Sequence, residues 1–121
     1  MKKTKTVLLS VLTVAIGQLL LKYGMNQIGP LSFSFSTLIS TAVNVFSNPF
    51  VVVGFLLFAS SSLLWLVAIS EAELSYAYPL LGAGYALVAL LSWVLFGEAV
   101  STLRIFGIFV ITSGVILMSR S

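Results

Sequence analysis

The sequence predicts an all-α membrane protein with four transmembrane helices and an amphipathic segment in the first loop. Three observations carry this prediction. Hydrophobic residues make up 60% of the 121 residues and charged residues only 7%, the mean hydropathy is +1.17, and four apolar stretches approach the ~20 residues that cross a bilayer. Because these stretches use most of the chain, we expect a single four-helix transmembrane domain over residues 1–121.

The first span is predicted over residues 6–23, after the basic start Lys2, Lys3 and Lys5. A charged start before an apolar run is also typical of a secretory signal peptide. Since the apolar run continues through residues 19–21, we expect a retained helix.

The longest loop, residues 24–48, turns at Gly29 and Pro30. Within residues 35–47, apolar residues recur at helical spacing and hydroxyl and amide side chains occupy the other face. This pattern predicts a helix lying at the membrane interface, with a folded-back loop as the alternative. Its polar face carries no Lys or Arg, so the pattern does not indicate attraction to anionic lipid.

The remaining spans are predicted over residues 50–69, 74–96 and 102–118. Pro49 suits the first turn of the second span. Pro79 lies inside the third span and predicts a bend there, because proline removes a backbone hydrogen bond. Gly97 and Glu98 begin a tight turn into the fourth span.

We expect a multi-pass protein of the cell (inner) membrane. The positive charges predict cytoplasmic termini, because four spans place both ends on one side and cytoplasmic flanks are richer in Lys and Arg. Four basic residues flank the termini and two flank the opposite ends: Lys2, Lys3, Lys5 and Arg120 against Lys22 and Arg104. The bias is modest, so insertion in both orientations stays an alternative.

Composition also excludes several classes of protein. The chain has no Cys and no His, which removes disulfides, thiol catalysis, haem and the common zinc and copper sites. We therefore expect no metal, no cofactor and no catalytic residues. An enzyme is not indicated, because the acids lie near loops and no nucleophile has a nearby general base. The dispersed basic residues form no patch for nucleic acid.

Lys22 and Gln18 are candidate substrate-binding residues on the first span. They follow Val14 at intervals of four residues and so share one helix face. Ionisable residues inside a membrane are often functional, although Lys22 is close enough to the boundary to extend towards the headgroups instead. Gln18 lies deeper, where a primary amide requires a partner.

Arg104 and Glu98 are the corresponding candidates at the same leaflet. Arg104 either extends to the interface, pairs with Glu98 across the turn, or joins Lys22 in an anion site. A guanidinium and an ammonium from neighbouring helices would suit a lipid phosphate.

The third span presents Tyr78, Gly82, Tyr85, Ala89 and Ser92 at helical spacing. Such a face of small residues and phenols can line a cavity, with Tyr78 and Tyr85 available to bind sugar or phosphate. Close helix packing explains the same pattern.

The ordered segments 15–24 (AIGQLLLKYG), 75–80 (SYAYPL) and 96–100 (FGEAV) resemble the drug/metabolite transporter superfamily, which includes EamA-like proteins. Its small multidrug resistance branch uses a glutamate in the first helix. Aligned on Gly17 and Lys22, Val14 occupies that position here, so proton-coupled drug export is not indicated. The pattern is closest to the ArnE/ArnF-type subunits, and the resemblance implies a flippase for an undecaprenyl-phosphate-linked aminosugar.

Gly107 and Gly114 in the fourth span lie seven residues apart and are similar to a dimerisation segment of the multidrug branch. Small residues let transmembrane helices approach closely. We therefore expect a homodimer or a heterodimer with a related four-helix subunit, parallel or antiparallel. The leading hypothesis is transport of a polyprenyl-phosphate-linked sugar. The alternatives are a small multidrug or metabolite exporter and a non-transporting accessory subunit.

Overall fold

The computed structural model describes residues 2–31 and 34–121. In this part of the chain all regular structure is helical, and four helical segments are long and apolar enough to cross a membrane. They are α1 (Lys2–Ile28), α3 (Pro49–Glu71), the interrupted pair α4 (Leu74–Ala77) and α5 (Gly82–Phe96), and α6 (Thr102–Ser119). With the short helix α2 (Leu38–Phe46) in the first loop, they confirm the predicted fold class and make this a multi-pass membrane protein. The side chains of Lys2 and Lys3, two of the four basic residues that flank the termini, lie outside the described part of the structure.

Helix α1 is longer than the sequence predicts. It continues past residue 23 to Ile28 and ends at Gly29, whose φ of 95° lies in the left-handed region that favours glycine. Gly24 does not break the helix, because it packs against α3: a Cβ there would lie 2.7 Å from Val51 Cγ2. The rise in polarity after residue 23 therefore marks the end of the apolar run but not the end of the helix.

The first loop forms a helix, as the amphipathic pattern predicts. A 3₁₀ turn, Phe35–Thr37, leads into α2. Phe35 and Ile39 are 85% and 81% exposed within the chain, while the Phe46 ring contacts the Phe55 ring of α3 with centroids 5.1 Å apart. The described part of the loop thus exposes large apolar side chains.

Helices α1 and α3 pack antiparallel along a seam of small residues. Both helices place buried small residues seven positions apart: Ser10, Gly17 and Gly24 on α1, and Gly54, Ser61 and Ala68 on α3. The Ser10 hydroxyl donates a hydrogen bond of 3.1 Å to the Ser61 carbonyl oxygen. This small-residue seam supplies the close backbone approach that associates helices inside lipid, where hydrophobicity gives little preference for protein over acyl chain.

The third span is interrupted where the sequence predicts a bend. Helix α4 ends before Tyr78, a 3₁₀ turn (Pro79–Leu81) follows, and α5 starts at Gly82. Proline cannot donate to the preceding turn, and the backbone passes through the tighter 3₁₀ geometry before α5 begins. Gly97 then ends α5 with a φ of 67°.

Helix α6 lies at the outside of the bundle, and none of its residues is buried. It packs on the third span at Gly82, where a Cβ would lie 3.0 Å from Ile111 Cγ2 and 3.1 Å from Val115 Cγ2. One side of α6 is therefore fixed to the chain, and the rest faces outwards.

Candidate functional site

Helices α1, α5 and α6 and the segment 97–100 surround a cavity of about 520 Å³. Most of its wall is aliphatic, and its polar side chains are few. The lining residues are Val11, Val14, Ala15, Gln18, Leu81, Gly84, Tyr85, Val88, Ala89, Ser92, Glu98, Ala99, Val100, Arg104 and Ile108. A mostly apolar pocket with a small number of placed polar groups is the usual form of a small-ligand site.

Arg104 is positioned by the start of α6. Ser101 caps this helix, since its hydroxyl oxygen accepts a hydrogen bond of 3.1 Å from the Arg104 backbone N–H. The Arg104 side chain turns back, and Nη1 donates to the Ala99 carbonyl oxygen at 3.0 Å. A guanidinium has five N–H donors, so this one contact leaves donors for an anion in the cavity.

Glu98 faces Lys22 across the end of the bundle. Lys22 Nζ lies 4.0 Å from Glu98 Oε2, and the two side chains are 50% and 40% exposed. An ion pair of this length and exposure contributes little to stability. Within the described chain, Glu98 makes this pair with Lys22 and none with Arg104, so the pairing across the turn that the sequence left open is not formed.

Gln18 and Tyr85 face the same cavity from α1 and α5. Their amide and hydroxyl groups are hydrogen-bonding groups set in a mostly aliphatic wall. Val14 lies one turn from Gln18 and contributes only hydrocarbon. Four of the six predicted substrate residues therefore meet at one cavity, and Lys22 contacts its edge through Glu98.

Tyr78 does not line this cavity. Its ring packs edge-on against Trp65, with centroids 6.1 Å apart, and the side chain is 57% exposed. In an unbroken helix Tyr78 and Tyr85, seven residues apart, would share a face. The intervening 3₁₀ turn advances about 120° per residue where an α-helix advances about 100°, and this changes their relative direction.

Sequence reasoning missed the backbone contribution of segment 97–100. The Ala99 carbonyl holds Arg104, and Ala99 and Val100 form part of the wall. The left-handed Gly97 and the capping Ser101 bracket this segment. The sequence signal for this segment was a glycine that can end one helix and a serine, four residues later, that can cap the next.

Gly107 and Gly114 make no close approach within the described chain. A Cβ at either position would meet no atom within 4 Å. By contrast, the glycines of the small-residue seam are in contact with a neighbouring helix. Packing inside one chain thus gives no reason for glycine at these two positions of α6.

Several proteins of similar sequence carry one name, "Probable 4-amino-4-deoxy-L-arabinose-phosphoundecaprenol flippase subunit ArnF". The chain is 41% identical to the protein from Serratia proteamaculans over 117 residues, covering 91% of this chain and 86% of that protein. It is 36% identical to the protein from Photorhabdus laumondii over 122 residues, covering 93% of each. The protein from Proteus mirabilis is 34% identical over 115 residues, covering 92% of this chain and 86% of the relative.

No family model matches the chain, and no solved structure matches it. The relatives nevertheless align with 91–93% of this chain and with 86–93% of their own length. The chain therefore belongs to the ArnF family of flippase subunits.

Proposed function

We propose that this chain is a subunit of a flippase that moves a polyprenyl-phosphate-linked aminosugar between the leaflets of the cell inner membrane. The observation that carries the proposal is the cavity, which sets the Arg104 guanidinium in a mostly aliphatic wall at one end of a four-helix bundle. The lipid named for the relatives joins an aminosugar, a phosphodiester and a polyprenyl chain. Each part has a counterpart here.

Arg104 is the phosphate ligand in this proposal. Its guanidinium faces the cavity and retains N–H donors beyond the bond to Ala99. Such forked donors suit the paired oxygens of a phosphodiester, and a charge-assisted hydrogen bond is stronger than a neutral one. Lys22, at the edge of the cavity beside Glu98, is near enough to the same end of the bundle to share the phosphate charge.

Gln18 and Tyr85 are the sugar contacts in this proposal. Both lie in the cavity wall with Ser92, and an amide, a phenol and a hydroxyl can each donate to or accept from sugar hydroxyls. The cavity volume of about 520 Å³ falls within the ~300–1,000 Å³ of small-ligand sites. A sugar phosphate would occupy it while the polyprenyl chain stays in the bilayer.

Export of cationic drugs by proton exchange at a first-helix glutamate is not favoured. Val14, which stands at the position of the multidrug glutamate, is part of the wall. A valine neither carries a proton nor pairs with a cation. Because the chain belongs to a family of transporter subunits, we also propose no enzymatic reaction.

Helix α6 is the proposed contact with a second subunit. Gly107 and Gly114, neither of them buried, leave a surface without side chains on the outermost helix of the bundle. Glycines at such spacing let a second helix approach closely within lipid. The partner is a second copy or a related four-helix subunit, in parallel or antiparallel arrangement, with the lipid pathway between the two.

The proposed orientation places the termini in the cytoplasm. Lys22, Glu98 and Arg104 then lie at the outer leaflet, opposite to the end that carries Lys5 and Arg120. Helix α2 belongs to the same outer side and, in this proposal, lies at the membrane interface with its apolar face in lipid.

The experiment is reconstitution into lipid vesicles that contain a polyprenyl-phosphate aminosugar, with periodate added outside to oxidise the sugar diol. The chain is tested alone and with an ArnE-type subunit. The wild type is expected to expose the inner pool, and Arg104→Ala to slow this by about tenfold or more, since one charge-assisted bond contributes about 1.5–3 kcal/mol.

Arg120→Ala is the matched control, because it removes an exposed arginine at the other end of α6. It is expected to retain the wild-type rate. Failure of the well-folded wild type to accelerate exposure in either arrangement would contradict the proposed function.

A further inference from the structure

The cavity contains two opposite charges that do not neutralise each other. Among its lining residues Glu98 supplies the one carboxylate and Arg104 the one guanidinium. The Arg104 side chain bonds to the Ala99 carbonyl, while the Glu98 carboxylate is directed at Lys22. A carboxylate is not needed to bind a lipid phosphate and would repel it, so the presence of Glu98 in the wall requires another reason.

The neighbour of Glu98 indicates what this carboxylate can bind. Lys22 presents a primary ammonium 4.0 Å from Glu98 Oε2. The distance is at the limit of a salt bridge, and both side chains are well exposed, so the pair can be exchanged at little cost. A primary amine on a bound sugar has the same charge and the same donors as the lysine head.

We propose that Glu98 selects lipids whose sugar bears a free, protonated amine. This inference rests on the proposed function and assigns specificity within the same cavity. The sugar ammonium takes the place of Lys22 at Glu98, while Arg104 holds the phosphodiester. Lys22, once released, adds its charge to the phosphate side. One weak internal ion pair is thereby exchanged for two pairs with a zwitterionic headgroup.

Selection by charge also acts against other lipids. A polyprenyl phosphate with a neutral sugar leaves the Lys22–Glu98 pair in place and brings only negative charge towards the carboxylate. Discrimination of this kind uses a repulsive group as well as an attractive one. The expected preference is modest, because the charges are partly exposed to solvent.

The test compares three lipids in vesicles that contain the chain, with its partner subunit if transport requires one. The first lipid bears a free amine on the sugar, the second an acetamido group, and the third a dimethylamino group, which keeps the positive charge at a bulk similar to the acetamide. Outside periodate reports the exposure of all three. The wild type is expected to move the two cationic lipids faster than the acetylated one.

Glu98→Gln is expected to reduce this preference by about fivefold, which corresponds to loss of a partly exposed ion pair of about 1 kcal/mol. Glu98→Asp, which keeps the charge, should retain part of the preference. Glu73→Gln is the matched control, because this exposed glutamate lies in the loop between α3 and α4 and does not line the cavity. It should keep the wild-type ratio.

The outcomes separate the two proposals. If the wild type moves none of the lipids, the proposed function fails. If it moves all three at equal rates, or if Glu98→Gln keeps the preference, the function stands and selection by Glu98 is overturned. If Glu98→Gln slows all three lipids equally, Glu98 acts on the fold or on phosphate binding, and selection is again overturned.

Discussion

Gly17 and Gly54 bring the backbones of α1 and α3 into contact. A Cβ at Gly54 would lie 2.9 Å from the Gly17 carbonyl oxygen, and a Cβ at Gly17 would lie 3.1 Å from the Gly54 carbonyl oxygen. Because both obstacles are backbone atoms, no side chain can rotate to make room. The two helices can approach this closely only while both positions are glycine.

Gly54→Ala is expected to lower the free energy of unfolding by about 1–3 kcal/mol, since the added methyl group forces the two backbones apart. Unfolding in mixed micelles, followed by the fluorescence of Trp65 and Trp93, measures the change. Gly107→Ala is the control in micelles dilute enough to keep the chain monomeric, because its methyl group would meet no atom of the described chain within 4 Å. Equal loss of stability in both variants would contradict the close contact.

Gly114→Leu is expected to reduce chemical cross-linking between subunits while leaving the single chain folded. The reason is that a Cβ at position 114 would meet no atom within 4 Å among the described residues and that this position, in our proposal, faces the partner. Gly82→Leu provides the contrast, since Ile111 and Val115 lie against Gly82 and this variant should lose stability as a monomer. An unchanged cross-linking yield in Gly114→Leu would remove α6 from the proposed interface.

Tyr85→Phe is expected to slow lipid exposure by about twofold to twelvefold, the effect of one lost hydrogen bond of about 0.5–1.5 kcal/mol. Tyr78→Phe should have little effect, because Tyr78 packs on Trp65 and does not line the cavity. The vesicle assay measures both. A larger effect of Tyr78→Phe than of Tyr85→Phe would contradict the proposed sugar contact and would indicate that the sugar passes on the Tyr78 side of the third span.

A fluorophore on α2 tests the proposed position of this helix at the membrane interface. The chain has no cysteine, so Ile39→Cys and Asn44→Cys each give one labelling site, and both positions are exposed within the chain. A label at 39 should emit at shorter wavelength and resist quenching by iodide, while a label at 44 should be quenched. Identical behaviour at the two positions would contradict the interfacial placement.

The four spans and the first-loop helix were predictable because they follow from composition and periodicity alone. Local signals also set several ends, as Pro49 does at the start of α3 and Gly97 at the end of α5. The end of α1 was not predictable in this way. Gly24 has the composition of a turn residue but is a packing position against Val51, and only the position of α3 distinguishes the two roles.

The candidate site was predictable as a set of residues but not as an arrangement. Gln18, Tyr85, Glu98 and Arg104 were identifiable as polar groups in or beside apolar spans, and the structure brings them to one cavity. The partner of Glu98 depends on how the segment 97–100 turns, and the direction of Tyr78 depends on three residues of 3₁₀ geometry. Neither is encoded in the spacing of an ideal helix.

Both charges of the cavity belong to one stretch of seven residues, from Glu98 to Arg104. Arg104 is fixed by bonds to Ser101 and Ala99 inside this stretch, so its placement requires no other helix. Lys22 belongs to α1, which the small-residue seam joins to α3. We therefore expect a rearrangement of the helices to move the Glu98 carboxylate and the Arg104 guanidinium together, because a short segment joins them. The distance from Lys22 Nζ to Glu98 Oε2 then measures how far the segment from Glu98 to Arg104 has moved from α1.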